Sequence, residues 1–227
     1  DIFFIAMSLL LLIGALTALS IPPEKQPAVP PVRAKMTLND LFEKKSLPIA
    51  LIGSLVAFSY ASILSYLSIY SQQKDLLYLT SSFFAVFAIV MLVSRPFTGR
   101  IFDEKGPRYI IIPGLVFFMF GLILLAYMDS PFTFLLSGAF IGLGYGAIVP
   151  SFQTLAIQST THERSGYATA TFFTLFDTGI AIGSFILGIV ASKLGYQGLY
   201  LLSSGIVALT LIVFLMQMKR LRANLNR

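Results

Sequence analysis

Asp177 is the residue whose chemistry most needs explaining. It sits in the stretch FFTLFDTGIAIG, Phe172–Gly183, which is otherwise apolar and helical in pattern. A charge at the centre of a bilayer costs about 2.5–3.5 kcal/mol on insertion scales. A segment that keeps a carboxyl there suits proton or cation chemistry. Two states are open to it. The carboxyl is protonated at rest, because burial disfavours the charged form, or it faces a wet cavity and meets a proton or another cation. The plainer alternative is a protonated Asp177 bonded to a neighbouring helix in a purely structural role. At helical spacings of three, four and seven, Ala170, Thr174, Ala181 and Ser184 share its side, with Phe173 and Ile180 flanking it. These small or polar residues suit a cavity wall or a close helix contact. No Lys or Arg is expected deep in any span, so Asp177 has no basic partner expected within this chain.

A second set of polar side chains lies in other apolar stretches. Ser62, Ser65 and Tyr66 cluster on one side of a predicted helix over Leu47–Ser71, with Ser54 and Tyr70 nearby. Tyr145 and Gln153 come from the helix that contains Pro150. A tyrosine hydroxyl inside an apolar span needs a partner, so Tyr60, Tyr66 and Tyr145 should face protein or a cavity. These groups either line a polar route that includes Asp177 or bond backbone carbonyls one turn back.

Several chemistries are excluded by what is missing. The chain has no Cys and a single His, His162, so neither a Cys-ligated nor a His-based metal site is expected. Asp177 stands alone among ionisable side chains in the spans, and a Ser nucleophile would lack a His or Lys base at that depth. No catalytic residue, metal or cofactor is therefore expected, and the chain does not read as an enzyme.

The elements that position these residues follow from composition. The 227 residues are 56% hydrophobic and 11% charged, against about 25% charged in soluble domains. About 20 apolar residues cross a bilayer. Seven runs qualify: Ile2–Ser20, Leu47–Ser71, Leu76–Ser94, Tyr109–Met128, Phe132–Gln158, Tyr167–Ser192 and Leu199–Met218. The fold class is therefore an all-α membrane protein. The chain starts at Asp1, with neither an initiator Met nor a basic leader, and reads as beginning partway through something larger.

The connections divide by charge. Gln72–Asp75, Asp129–Pro131 and Lys193–Gly198 fall on one side and carry only Lys74 and Lys193. The segment Ile21–Ser46, Arg95–Arg108, Ser159–Gly166 and the tail Lys219–Arg227 fall on the other and carry 14 of the 16 basic residues. The positive-inside rule places the second set in the cytoplasm. Charges that follow topology in this way argue against nucleic acid as a partner. Ser130-Pro131 reads as a helix cap followed by Pro at the first helical position. Pro150 should kink its helix. PPEKQPAVPP is a stiff linker, and a short surface helix is expected to start at Thr37. Gly138, Gly142 and Gly146, and then Gly179 and Gly183, have the spacing that lets membrane helices approach closely.

The stretch RPFTGRIFDEKGPR, Arg95–Arg108, is dense in charge. A solvated turn on the basic side explains Arg95, Arg100, Lys105 and Arg108, but not the framework Gly99–Asp103–Gly106. That framework resembles the signature G-x-x-x-D-[RK]-x-G-x-[RK] of the major facilitator superfamily. Gly99, Asp103, Gly106 and Arg108 match it, and Glu104 departs from the usual basic residue. The stretches GLGYGAIVPSFQTLA and ERSGYATATFFTLFDTGIAIGSFILG are similar to bacterial drug/proton antiporters of that superfamily.

The resemblance implies the C-terminal half of a transporter. Residues 1–20 would be helix 6, 21–46 a central cytoplasmic linker, 47–218 a six-helix bundle and 219–227 a basic cytoplasmic tail. It implies alternating access, proton-coupled efflux of drug-like or amphiphilic compounds, and a multi-pass place in the cell membrane, the inner membrane in a bacterium. The partners would be an N-terminal half of the same transporter, a small-molecule substrate, protons and lipid. Arg95, Gly99, Asp103, Gly106 and Arg108 would then form a latch between the halves, while Asp177, Tyr66, Ser62, Ser65, Tyr145 and Gln153 bind proton or substrate. A membrane scaffold or assembly subunit that moves nothing is the alternative.

Overall fold

The computed structural model describes residues 2–19 and 42–225, which are helical apart from short connections. Helix α1, Ile2–Leu19, is apolar throughout and belongs to a separate unit of the chain. Its 18 residues extend about 27 Å at 1.5 Å per residue. The expected linker, and the surface helix expected from Thr37, fall largely outside the described residues. What is described of that stretch, residues 42–46, is a bend and a turn rather than a helix.

The second unit is a bundle. It contains α2 (Leu47–Gln73), α3 (Thr80–Lys105), α4 (Arg108–Ala126), α5 (Pro131–Gln158) and α6 (Ser165–Leu225). Helix α6 is broken once, at Gly195, whose φ of 71° and ψ of 175° interrupt the helix. Residues 165–194 and 196–225 are thus two limbs, and the bundle has six rods. The predicted spans match these rods, with two differences.

The first difference concerns Arg95–Arg108, which is not a loop. Helix α3 runs on through Pro96 to Lys105 and stops at Gly106, where φ is 92°. Charge density misled the expectation, because charged residues are compatible with an exposed helix. Arg100 and Glu104 pair across one turn at 3.4 Å. Only the left-handed residue ends the helix, and glycine adopts that conformation without strain. Ten residues separate Arg95 from Lys105, so Arg95 lies about 15 Å from the end of the helix. The predicted span ends at Ser94 and Arg95 follows it directly, so the helix continues past the apolar run. The second difference is at Lys193–Gly198, where the expected connection shrinks to the single residue Gly195.

Packing follows the small residues. Helix α5 lies between α3 and α4. A Cβ added at Gly142 would meet the Phe87 carbonyl oxygen of α3 at 2.5 Å, and one at Gly144 would meet the Phe118 nitrogen of α4 at 2.5 Å. Helix α2 packs against α6, with the backbone of Ser54 over Gly179 and that of Phe58 over Gly183. The second limb closes the bundle. Tyr200 donates to the Ser62 carbonyl at 3.3 Å, and Ser204 to that of Met119 in α4 at 3.3 Å. Phe83, Phe118, Phe134, Phe152, Phe172 and Tyr200 are the largest fully buried side chains.

The ends are pinned by polar contacts. Ser130 and Thr133 form a reciprocal capping box at the start of α5, in agreement with the expected cap. Lys74 meets Asp129 at 3.0 Å across the α2 and α4 ends. That pair is exposed, so its contribution to stability is small. Helix α5 continues through Pro150 without a break.

Candidate functional site

One face of the first limb of α6 is left uncovered by the bundle. Ala170, Thr174, Asp177 and Ala181 are exposed along it, and Ser184 is half-exposed. This is the stripe expected from spacing. Asp177 lies twelve residues from the start of α6, about 18 Å along the axis. Among the described residues no hydrogen bond or ion pair engages its carboxylate. Ser65 and Tyr66 reach the same limb, as the Ser65 hydroxyl meets that of Ser184 at 2.9 Å and the Tyr66 hydroxyl donates to the Ser184 carbonyl. Ser62 sits apart from them. It is fully buried and donates to the Ser59 carbonyl at 2.6 Å, one turn back. Ser54 likewise donates to Leu51, and the Tyr70 hydroxyl is buried against the Ala126 carbonyl.

Tyr145 and Gln153 come together across two turns of α5. They line a cavity of about 230 Å³ with Arg95 and Met91 of α3 and Phe173 of α6. The Tyr145 ring stacks on Tyr60, with centroids 4.0 Å apart and planes 18° from parallel. A second cavity, of about 200 Å³, lies further along α3 and includes Thr98, Gly99 and Asp103. Arg95 and Pro150 line both cavities. Gly99, Asp103 and Gly106 of the signature therefore form the last turns of α3 and its glycine stop, and Arg108 opens α4. A Cβ at Gly99 would meet nothing within 4 Å, so any tight contact there lies outside this bundle. Among the described residues no group of His, Asp and Glu side chains is clustered as a metal site requires.

The sequence model of the Major Facilitator Superfamily matches residues 2–177 and 80–226, two overlapping matches that together take in nearly the whole chain. The chain belongs to the Major Facilitator Superfamily. Similar proteins include the multidrug resistance protein MdtG of Escherichia coli O17:K52:H18, 23% identical over 214 residues that make up 91% of this chain and 52% of that protein. MdtG of Enterobacter lignolyticus is 24% identical over 91% of this chain and 51% of its own length. MdtG of Dickeya zeae is 24% identical over 66% of this chain and 36% of its own. The chain spans about half the length, or less, of these curated relatives. Five of its helices are long and apolar enough to cross a membrane, as befits a multi-pass membrane protein of this superfamily.

A polar cluster on the basic-rich end of this Major Facilitator Superfamily bundle had no signal in the sequence. Glu43, 5% exposed, pairs with Arg164 of the α5–α6 connection, and its backbone N–H donates to the Thr171 hydroxyl at 2.8 Å. Arg164 also lies over the Tyr167 ring, 4.9 Å from its centroid. Ser46 completes the tie by donating to the Ala156 carbonyl at 2.8 Å. The Arg164 guanidinium holds the Glu43 carboxyl below the usual carboxylate range, overcoming the opposing effect of burial.

A carboxyl with a lowered folded value stabilises the protein above its unfolded value of 4.5. That contribution is lost as pH falls through the folded value. Removing one partner of a buried pair costs about 3–5 kcal/mol; the cost here falls below that range, because the Arg164 side chain is 38% exposed and screened. Arg164→Gln should therefore lower the melting temperature in detergent at pH 7, and the double change with Glu43→Gln should recover part of the loss. The gap between wild type and Glu43→Gln should close below about pH 4.5. Equal melting of all four proteins at pH 7 would show that the pair does not brace the bundle.

Proposed function

We propose that this chain is the second bundle of a secondary transporter that expels drug-like or amphiphilic compounds by alternating access, driven by protons. Asp177 carries this reading. It is a carboxylate with no partner among the described residues, on an uncovered face far along its helix, four residues from Phe173, which lines the cavity with Tyr145. The names of the similar proteins support multidrug export, and their greater length supports a further bundle that would cover this face. Substrate would then lie between the two bundles near the midplane. Tyr66, Ser65, Tyr145 and Gln153 would contribute to the route. Gly99, Asp103, Gly106 and Arg108 would act as a latch against the other bundle, and α1 would be a further span. The basic-rich end would face the cytoplasm of a bacterial cell.

The complete reading frame that carries this chain, expressed in efflux-deficient bacteria, should lower accumulation of at least one dye in a panel of anionic, neutral and cationic amphiphiles several-fold, and a protonophore should abolish the effect. Single cysteines replacing Lys74 and Arg222 should be labelled from opposite sides of the membrane. A normally inserted protein that leaves accumulation of every dye in the panel unchanged is not an exporter of this kind. Labelling of both cysteines from one side would overturn the topology.

A further inference from the structure

We infer that Arg95, with Gln153 and Tyr145, forms a receptor for an anionic oxygen-bearing group, a carboxylate or its like, on the compound this bundle handles. The inference rests on the transport reading above and adds a substrate class to it.

The position of Arg95 is the first argument. It lies about 15 Å from the end of α3, in a stretch that packs along the apolar α5. A guanidinium has five N–H donors, no acceptor, and a charge that does not titrate away. Among the described residues neither a carboxylate nor a carbonyl accepts from it. Of the two acids on its own helix, Glu104 pairs with Arg100, and Asp103 lies eight residues on, about 12 Å away along the axis, at the far part of the second cavity that Arg95 also borders.

The second argument is the company Arg95 keeps. The cavity shared with Tyr145 and Gln153 contains no acidic side chain. The Gln153 amide and the Tyr145 hydroxyl can each add a donor, and neither has a hydrogen-bond partner among the described residues. Three side chains able to donate thus converge on a space otherwise walled by Met91, Val149 and Phe173. The planar fork of an arginine matches a carboxylate in a bidentate pair, and apolar walls suit the body of an amphiphile. A cation in this cavity would be repelled by Arg95 and would meet no acidic side chain in its lining. The two charges therefore divide the face, with Arg95 taking the anionic group and leaving Asp177 for the proton.

The test measures binding and export separately on the full-length protein. The probes are 2-naphthoate, 2-naphthamide and (2-naphthylmethyl)trimethylammonium, which share one aromatic body. Wild type should bind naphthoate at least tenfold more tightly than the ammonium probe. Arg95→Gln should weaken naphthoate about tenfold and leave naphthamide unchanged, and Arg95→Lys should retain part of the preference. A wild type without a preference for naphthoate would overturn the inference, as would an Arg95→Gln protein that keeps the preference. An equal loss for all three probes with a lowered melting temperature would also overturn it, since Arg95 would then be holding the protein together. Preferential binding of naphthoate without export in cells would leave the receptor standing and remove the transport reading.

Discussion

Replacing Asp177 with Asn should abolish proton-driven export while leaving insertion, yield and melting temperature as in wild type. Folding should be indifferent because none of the described hydrogen bonds or ion pairs uses this carboxylate, and the residue is exposed on the uncovered face of α6. Asn keeps the shape but cannot carry a proton. If Asp177 alternately holds a proton and releases it as substrate enters, the Asn protein is frozen in the uncharged state. In proteoliposomes with an imposed pH gradient, uphill transport should fall to background. Exchange of substrate down its own gradient should persist, and its rate should no longer change with pH. An Asn variant that transports uphill with an unchanged pH profile would make Asp177 structural, with coupling carried elsewhere.

Replacing Gly142 with Leu should remove most of the folded protein. The first side-chain carbon would lie 2.5 Å from the Phe87 carbonyl oxygen and 3.1 Å from that residue's Cα. These are backbone atoms and cannot rotate away, so α3 and α5 would have to separate. Overpacking against movable side chains costs about 1–3 kcal/mol, occasionally more, and a clash with backbone should fall at or above the top of that range. Gly99→Leu is the matched comparison, because a Cβ there meets nothing within 4 Å. It should fold normally and, if the latch operates, slow export. Detergent-stable yield and melting temperature decide the matter. A Gly142→Leu protein that melts within about two degrees of wild type would show that the helices yield at that contact.

The rods were legible because apolar runs and their glycine and proline punctuation are local signals. The stripe Ala170–Thr174–Asp177–Ala181 was legible for the same reason, since one periodicity places it on one face. The length of α3 was not, because charged residues at Arg95–Lys105 read as a solvated turn, whereas the helix continues until a left-handed glycine stops it. That error hid that Arg95 belongs to the same helix as Met91 and lines the same cavity. The pairing of Glu43 with Arg164 could not be read either. The two residues are 121 positions apart, and each looks locally like an ordinary surface charge. Ser62 shared a helical side with Ser65 and Tyr66, yet it turned inward, because Tyr200 of the second limb packs over that turn of α2.

The one-residue break at Gly195 constrains how the chain is made. Residues 165–194 and 196–225 have no slack between them, so neither can settle across a bilayer while the other waits at the surface. In the topology proposed above they enter during synthesis as a closed hairpin whose tip crosses first. Among residues 190–200 that tip carries a single charge, Lys193. Moving one ammonium through the bilayer centre costs about 2.5–3.5 kcal/mol. Each Leu, Ile, Val or Phe that follows returns about 0.3–0.6 kcal/mol, so about four to twelve of them offset the crossing. Both limbs supply such residues in abundance, and a second charge at the tip would roughly double the barrier that the nascent chain has to pass.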